Sequence, residues 1–490
     1  NSLFFLESIK KEKTMTITIY KQTTQASWAK AIAKPAIEFP LTQLSIVSGK
    51  IPANLKGSLY RNGPARLERG EMQVGHWFDG DGAILAVHFA EGQVRATYRY
   101  VQTEGYLAEE KANKLIYGNY GMTPKGLWWN RFGKSSKNVA NTSVIALPDK
   151  LLALWEGGLP HALDLETLET YGLENLEGLD HQRSYSAHPK RDSETDEIFN
   201  FGVSYGKNAT LNLYRSDRHG KLIKKNQATL QGLPMIHDFV LAGDYLIFCI
   251  PPLRMNPFPV LLNLQSYSDS LAWKPQEGTE ILVFDRHNLE LVSRNIAEPW
   301  FQWHFGNGYS DHNGNLVFDL IRYPDFATNQ FLKEVATGKI KTPAKGTLWQ
   351  MRLNPQTGEF LETSQVLDRG SEFPIVAPAQ VGKNSRYTYL SIHHSEDEQT
   401  ELFDAIARYD YQTNTLTEAD LGANRYPMEP LFAPDPTNPD KGYIITVVFD
   451  GDRECSEVWI FDSDRLDDEP ICRIALPSIV PMGFHGTWRS

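Results

Sequence analysis

Four histidines of this chain, His188, His237, His304 and His485, sit in matching contexts although they are far apart in sequence. The contexts are Ser186-Ala-His-Pro189, Ile236-His-Asp-Phe239, Trp303-His-Phe-Gly-Asn307 and Gly483-Phe-His-Gly-Thr-Trp488, each just ahead of a strand-like run. Two further runs are preceded by a glutamate instead, Glu372 in Ser371-Glu-Phe-Pro374 and Glu429 in Met428-Glu-Pro-Leu431, and one by Asn141-Thr-Ser143. Arranged around one axis, these positions bring four imidazoles and two carboxylates together. Buried charge is costly unless paired or metal-bound, and neutral imidazole is the commonest metal ligand. Imidazole suits iron, copper, zinc or nickel, and the absence of thiolate partners removes one strong reason for zinc. A glutamate beside a ligating histidine accepts the free ring N–H, fixes the tautomer and raises ligand basicity.

The other histidines have simpler roles. His219, His287 and His312 fall in turns, His88 and His161 in hairpin strands, and His181 in an acidic loop. His393 and His394 are adjacent on a strand, so at most one of them points inward. His76, ahead of Phe78-Asp-Gly-Asp-Gly82, is a lesser candidate.

The elements that position these residues are strands. Beyond Ile51 the chain is a series of short alternating runs rich in Val, Ile, Tyr, Phe and Leu, broken by Gly, Asn, Asp and Pro. One hairpin recurs seven times, with turns near residues 90, 164, 217, 285, 354, 410 and 462, roughly 62 residues apart. Another strand pair precedes most of them, as in Phe239-Val-Leu-Ala-Gly-Asp-Tyr-Leu-Ile-Phe. Four strands per unit and seven units predict a β-propeller, whose first strand in each blade lines the central channel. A string of β-sandwich domains would need linkers rich in Pro, Gly or Ser between units, and none is evident.

Composition narrows the function. At 490 residues with 41% hydrophobic content the chain has ample material for a core, and its net charge of -11 argues against a nucleic-acid partner. The cysteines Cys249, Cys455 and Cys472 form no CxxC pair, which reads as a reducing, cytoplasmic setting. No apolar run approaches the ~18 residues of a spanning helix. Leu3-Phe-Phe-Leu6 with Lys10, Lys11 and Lys13 is too short for a signal segment, and its positive charge follows the apolar part. Residues 1–35 read as an N-terminal extension, in part without stable structure, ahead of one domain over 36–490.

Taken together, these pieces resemble the carotenoid cleavage oxygenase family, with the cyanobacterial apocarotenoid oxygenases the nearest group. The matching segments are Arg61-Asn-Gly-Pro64, Phe78-Asp-Gly-Asp-Gly82, Ala140-Asn-Thr142, Leu154-Trp-Glu-Gly-Gly158, the contexts of His188 and His237, those of Glu372 and Glu429, and Phe484-His-Gly486. The resemblance runs from about residue 50 to the C-terminus. It implies an all-β seven-bladed β-propeller with a loop-rich dome over the metal centre. It also implies one Fe(2+) per subunit on His188, His237, His304 and His485, with Glu156, Glu372 and Glu429 as carboxylates behind them. Trp303 stands where the family often has phenylalanine, but Phe305-Gly-Asn307 follows as the pattern asks.

The implied reaction is cleavage of one double bond of a carotenoid or apocarotenoid by dioxygen, giving aldehyde or ketone products, retinal among the candidates. Four neutral ligands leave open positions for dioxygen, and Thr142 is expected to restrict access to one of them. Regioselectivity requires a tunnel that fixes one double bond at the metal, with Phe78, Trp155 and Trp303 as candidate lining. The apolar, proline-rich stretch 250–262 is expected to be non-helical and to touch a membrane surface peripherally, helped by Leu127-Trp-Trp129. Two alternatives stay open on the residues alone: a stilbene-cleaving oxygenase on the same fold, and a binding propeller without chemistry.

Overall fold

The computed structural model describes residues 26–124, 126, 136–180, 184–395 and 399–490. The expected features at residues 1–25, at Leu127-Trp-Trp129 and at His181 lie outside the described residues. What is described is mostly β-sheet in a propeller-like arrangement.

The seven predicted hairpins are all present as adjacent strand pairs of the larger sheets, the outer pair in five cases, with Phe39–Gln43 and Ser45–Gly49 added outside the first and the last. Asp81–Ala90 pairs with Gln93–Tyr100, Ala209–Ser216 with Leu222–Thr229, and Thr347–Leu353 with Phe360–Leu367, and the other four follow suit. Six of the turns share a device. An Asp or Asn at the end of the first strand accepts the backbone N–H two residues on, as Asp164, Asp217, Asp285, Asn354, Asp410 and Asp462 do. Such side chains mimic a backbone turn, which explains their recurrence in the repeat. Strands inside each sheet read as continuous apolar runs because neighbouring sheets cover both faces. Leu151–Leu154 and nearly all of Thr279–Asp285 are buried, whereas the outer strand Leu222–Thr229 is largely exposed.

The expected seven separate units are not all separate. Val240–Ala242, Tyr245–Ile250, Thr279–Asp285 and Leu291–Ala297 share one eight-stranded sheet with Phe305–Ser310, Leu316–Arg322, Thr347–Leu353 and Phe360–Leu367. The junction is one parallel bridge, Ala242 to Gly308. Gly308 permits it, since a Cβ there would stand 2.8 Å from that of Ala242. The remaining large sheets have four, four, four, five and six strands.

Apolar clusters join successive strand sets. Phe199, Phe201 and Leu211 pack on Phe239, Phe248 and Leu282, and Ile321 and Leu348 pack on Leu390 and Ala407. Within the first group Phe201 meets Phe239 edge-on at 5.6 Å and Phe239 stacks on Phe248 at 5.2 Å. Each such pair adds about 1 kcal/mol beyond area burial. A last cluster unites Leu59 and Val87 near one end of the chain with Ile445 and Val458 near the other. Two strand exchanges close the same seam: Gly486–Arg489 pairs with Gly57–Arg66, and Ser45–Gly49 with Cys472–Ala475. The C-terminal strand therefore closes the fold and also delivers His485 to its interior.

The helices α1 (Glu104–Ala112), α2 (Pro257–Leu261) and α3 (Ala327–Val335) lie in connections between strands, with the short pair Leu253–Met255 and Leu271–Trp273. The stretch 250–262 is thus not wholly non-helical. Pro257 occupies the first turn of α2, where its missing N–H leaves no bond unmade, and Asn256 caps Phe258.

Candidate metal centre

Each of the four histidines is placed by a strand start. His188 precedes Lys190–Arg191, His237 precedes Val240–Ala242, and His304 and His485 immediately precede Phe305–Ser310 and Gly486–Arg489. All four are buried, and one ring nitrogen from each lies within 4.8 Å of the others. Nε2 of His237 is 3.0 Å from Nε2 of His188 and 3.3 Å from Nε2 of His304. His485 meets His188 and His304 with ring centroids 4.7 Å apart in both cases.

Three carboxylates hold the opposite nitrogens. Glu372 Oε2 lies 2.5 Å from Nδ1 of His304, Glu429 Oε1 lies 2.9 Å from Nδ1 of His485, and Glu156 contacts Nδ1 of His237 directly. A carboxylate on Nδ1 keeps the proton there, so the Nε2 atoms face one another as lone pairs. Lone pairs converging at 3.0–3.3 Å repel unless a cation lies among them. Nitrogens about 2.1 Å from a common ion are ~3.0 Å apart at right angles and ~3.4 Å apart at the tetrahedral angle. The donor set therefore fits a metal ion with open positions.

Burial favours the neutral form at two of the ligands. Burial, then the neighbouring imidazoles, holds His188 and His304 well below the ordinary histidine value. Burial also lowers His237, but Glu156 outweighs it and the net shift is upward. Burial pushes Glu372 up to about 7, against the N–H of Phe373 and the hydroxyl of Tyr323. For Glu429 burial works upward too, but His485 and Arg61 overcome it and its carboxyl sits below the usual range. Glu372→Gln keeps the shape and replaces the acceptor on His304. It is expected to weaken metal binding about 10- to 100-fold, measured by competition against a chelator of known affinity.

The candidate lining residues gather on one cavity of about 350 Å³ that His237, His304 and His485 border. Phe78, Thr142, Trp155 and Trp303 all line it. Trp303 stands edge-on to His237 at 4.9 Å and donates its indole N–H to Thr328 Oγ1 at 3.0 Å. Phe78 meets Trp303 and Phe484 at 5.5 and 5.3 Å. The carbonyl of Thr142 accepts the backbone N–H of His485 at 3.2 Å, which ties the two together. His76 stays out of the cluster. Burial pushes it down to about 3, and its Nδ1 accepts the N–H of Phe78 while Nε2 faces the carbonyl of Asn329.

Several contributors have no role in the sequence reading. Tyr323 donates to Glu372 Oε1 at 2.9 Å, and Arg61 donates to Glu429 Oε2 at 3.1 Å and to the carbonyl of Phe484 at 3.1 Å. Phe373 lies nearly parallel to His304 at 5.2 Å, on a backbone with φ of 55°. A bulky residue in that left-handed region stores on the order of 1–2 kcal/mol of strain, which its neighbours must hold. Arg61 and Phe373 do lie in segments of the family resemblance, so a signal existed, but not one that assigned them a partner.

Residues 32–490 match the family described as retinal pigment epithelial membrane protein. The chain is 32% identical to apocarotenoid-15,15'-oxygenase of Synechocystis sp., over 90% of this chain and 92% of that one. It is 28% identical to carotenoid 9,10(9',10')-cleavage dioxygenase 1 of Arabidopsis thaliana, over 90% and 85%, and 28% identical to isoeugenol monooxygenase of Pseudomonas nitroreducens, over 90% and 93%. The crystal structure of the cobalt-substituted Synechocystis apocarotenoid oxygenase superposes with a TM-score of 0.87 at 30% identity, covering 95% of this chain and 98% of that one. The chain belongs to the retinal pigment epithelial membrane protein family, the carotenoid cleavage oxygenases, and is an enzyme of that class.

Proposed function

We propose that this protein is a non-haem Fe(II) dioxygenase that cleaves one double bond of a carotenoid or apocarotenoid. The observation that carries the reading is the four-imidazole cluster, backed by three carboxylates, at the wall of an aromatic-lined cavity. We assign metal binding to His188, His237, His304 and His485 and ligand positioning to Glu156, Glu372 and Glu429. A ferrous ion so held supplies the binding and activation of dioxygen. Each oxygen atom ends on one carbon of the severed bond, giving two carbonyl products, so no reductant is consumed. The chain's own part is placement. Phe78, Trp155 and Trp303 confine the polyene so that one double bond faces the histidines, and the dry, aromatic wall keeps water away. Thr142, tied to His485, narrows access beside that ligand.

The strand sets are read as seven blades, with the eight-stranded sheet counted as two. The seven apolar clusters support this, because each joins one strand set to the next and the last returns to the first. The domain then spans 36–490 after an N-terminal extension. A binding propeller without chemistry gives no reason for buried imidazoles to converge, whereas metal chemistry does.

No helix among the described residues is long and apolar enough to cross a membrane. The surface around α2 nonetheless exposes Phe258 (75%), Leu261 (73%), Leu262 and Leu264 (67%) together. Only the second half of the expected 250–262 stretch is involved, since Ile250 to Leu253 are buried. This patch supports peripheral contact with a lipid surface, from which an apolar substrate enters. The variant Phe258→Ser/Leu261→Ser is expected to lose most liposome co-sedimentation while turning over detergent-dispersed substrate at the parent rate. Undiminished sedimentation would contradict the assignment.

The test of the function uses purified Fe(II)-loaded protein, an apocarotenal in detergent, and air. Loss of polyene absorbance with two defined carbonyl products, absent in His237→Ala, is the expected result. No turnover by iron-loaded protein on any polyene offered would count against it.

A further inference from the structure

A second cavity, of about 670 Å³, shares no lining residue with the one at the metal centre. It lies between Leu316–Arg322 and Thr347–Leu353 on one side and Ala405–Asp410 on the other, and Tyr309, Asp319, Gln350, Val366, Tyr409 and Tyr411 border it. The apolar packing of this junction stops part of the way along the strands. Ile321 faces Leu348 in register, and both join Leu390 and Ala407 in one apolar cluster. Alternate residues of a strand share a face, so Asp319, Gln350 and Tyr409 come next on the same sides. Asp319 faces Gln350 in register, and its Oδ1 accepts the Gln350 Nε2 amide at 3.1 Å.

Other faces nearby are not interrupted in this way. On the opposite side of the same strand Leu316, Phe318 and Leu320 are buried in one cluster, and Leu246, Phe248 and Ile250 carry apolar packing along Tyr245–Ile250. A carboxylate in mid-strand is therefore not what packing of this junction requires. Asp319 is only 6% exposed. Burial raises its carboxyl to about 6, against the neighbouring hydroxyl of Tyr411 and the amide of Gln350, so it is mostly ionised at neutral pH. No cation among the described residues pairs with it. Arg386, at the rim, is held by both oxygens of Asp410, and Arg352 faces Asp311 and Glu362. Buried charge without a partner is costly, and a carboxylate has about four acceptor positions, of which the Gln350 amide fills one.

We propose that this cavity binds a primary organic ammonium ion, its head on Asp319 and its carbon chain against the tyrosine rings and Val366. An ammonium group brings three N–H donors and the charge that Asp319 lacks, and Gln350 and the tyrosines carry further acceptors beside it. Tyrosine faces also attract a cation, and Tyr409 and Tyr411 meet edge-on at 5.1 Å in the wall. A bare metal ion would find one charged residue in a space many times its size, whereas hard cations take several oxygens at close range. A neutral sugar would leave the carboxylate uncompensated.

n-Butylammonium and n-butanol, alike in shape, are titrated separately into iron-loaded protein at neutral pH. Binding is read by saturation-transfer NMR of the ligand and as a rise in melting temperature, which a ligand of the folded state must produce. Wild type is expected to bind the amine at least about tenfold tighter than the alcohol, since a charge-assisted hydrogen bond is roughly twice as strong as a neutral one. Asp319→Asn keeps the shape and removes a buried charge, so the fold and polyene turnover are expected to stay as they are. In that variant the two affinities should come to within about twofold of each other. Equal binding of amine and alcohol by wild type, a preference that survives Asp319→Asn, or methyl glucoside binding tighter than the amine overturns the proposal. Failure of wild type to bind the amine overturns it as well.

Discussion

His304→Ala is expected to lower both iron content and turnover by at least about a thousandfold, with little change in fold. Removing this imidazole takes away one of four donors and also strands Glu372, whose Oε2 has Nδ1 of His304 as its partner at 2.5 Å. Glu372 is already raised to about 7 by burial, so without the imidazole it takes up a proton and stays in place as a neutral acid. The packing around it is retained through Tyr323 and the N–H of Phe373. The deficit therefore belongs to the metal and not to stability. Metal analysis together with thermal unfolding checks this: iron falls to background while the melting temperature moves by a few degrees. Iron retained near one per chain in the variant would remove His304 from the ligand set.

Arg61→Leu is expected to act the other way round, through the fold first. Arg61 is buried, and its guanidinium meets Glu429 Oε2, the backbone carbonyl of Glu429 and the carbonyl of Phe484. Glu429 in turn holds Nδ1 of His485 and the N–H of Gly486. One cation thus fixes the strand-exchange seam and the carboxylate behind a metal ligand. Breaking a buried pair by removing one partner costs about 3–5 kcal/mol, because the other charge stays buried without compensation. Denaturant unfolding should show that loss. Glu429→Gln in the same background should recover part of the stability without restoring iron affinity, since it removes the stranded charge but also the acceptor on His485. A loss below 1 kcal/mol for Arg61→Leu would contradict the account of the seam.

The site was more legible in the sequence than the fold around it. His188, His237, His304 and His485 could be found because each stands at the start of a strand, the same place in a repeat that turn chemistry marks clearly. Glu372 and Glu429 occupy that same place, and the structure puts them against His304 and His485. Glu156 follows the strand Leu151–Leu154 instead, off that register, and only the family resemblance pointed to it. Tyr323 and Arg61 were not assigned to the site because their partners lie 49 and 368 residues away, and pairing at that range leaves no periodic trace. The merger of two strand sets through Ala242 and Gly308 was hidden for a related reason: it depends on backbone approach, and a single glycine in a strand does not announce its neighbour. The helix α2 is hidden in the sequence because proline usually breaks a helix, whereas the first turn tolerates it.

The most direct test of the central claim is the iron content of protein loaded with Fe(II) without oxygen and freed of unbound metal, read beside its turnover of an apocarotenal. The account predicts close to one iron per chain in the wild type, turnover in proportion to that iron, and loss of both in His188→Ala, His237→Ala, His304→Ala and His485→Ala alike. Turnover that persists without bound iron, or iron that remains after any one of the four histidines is removed, would contradict it.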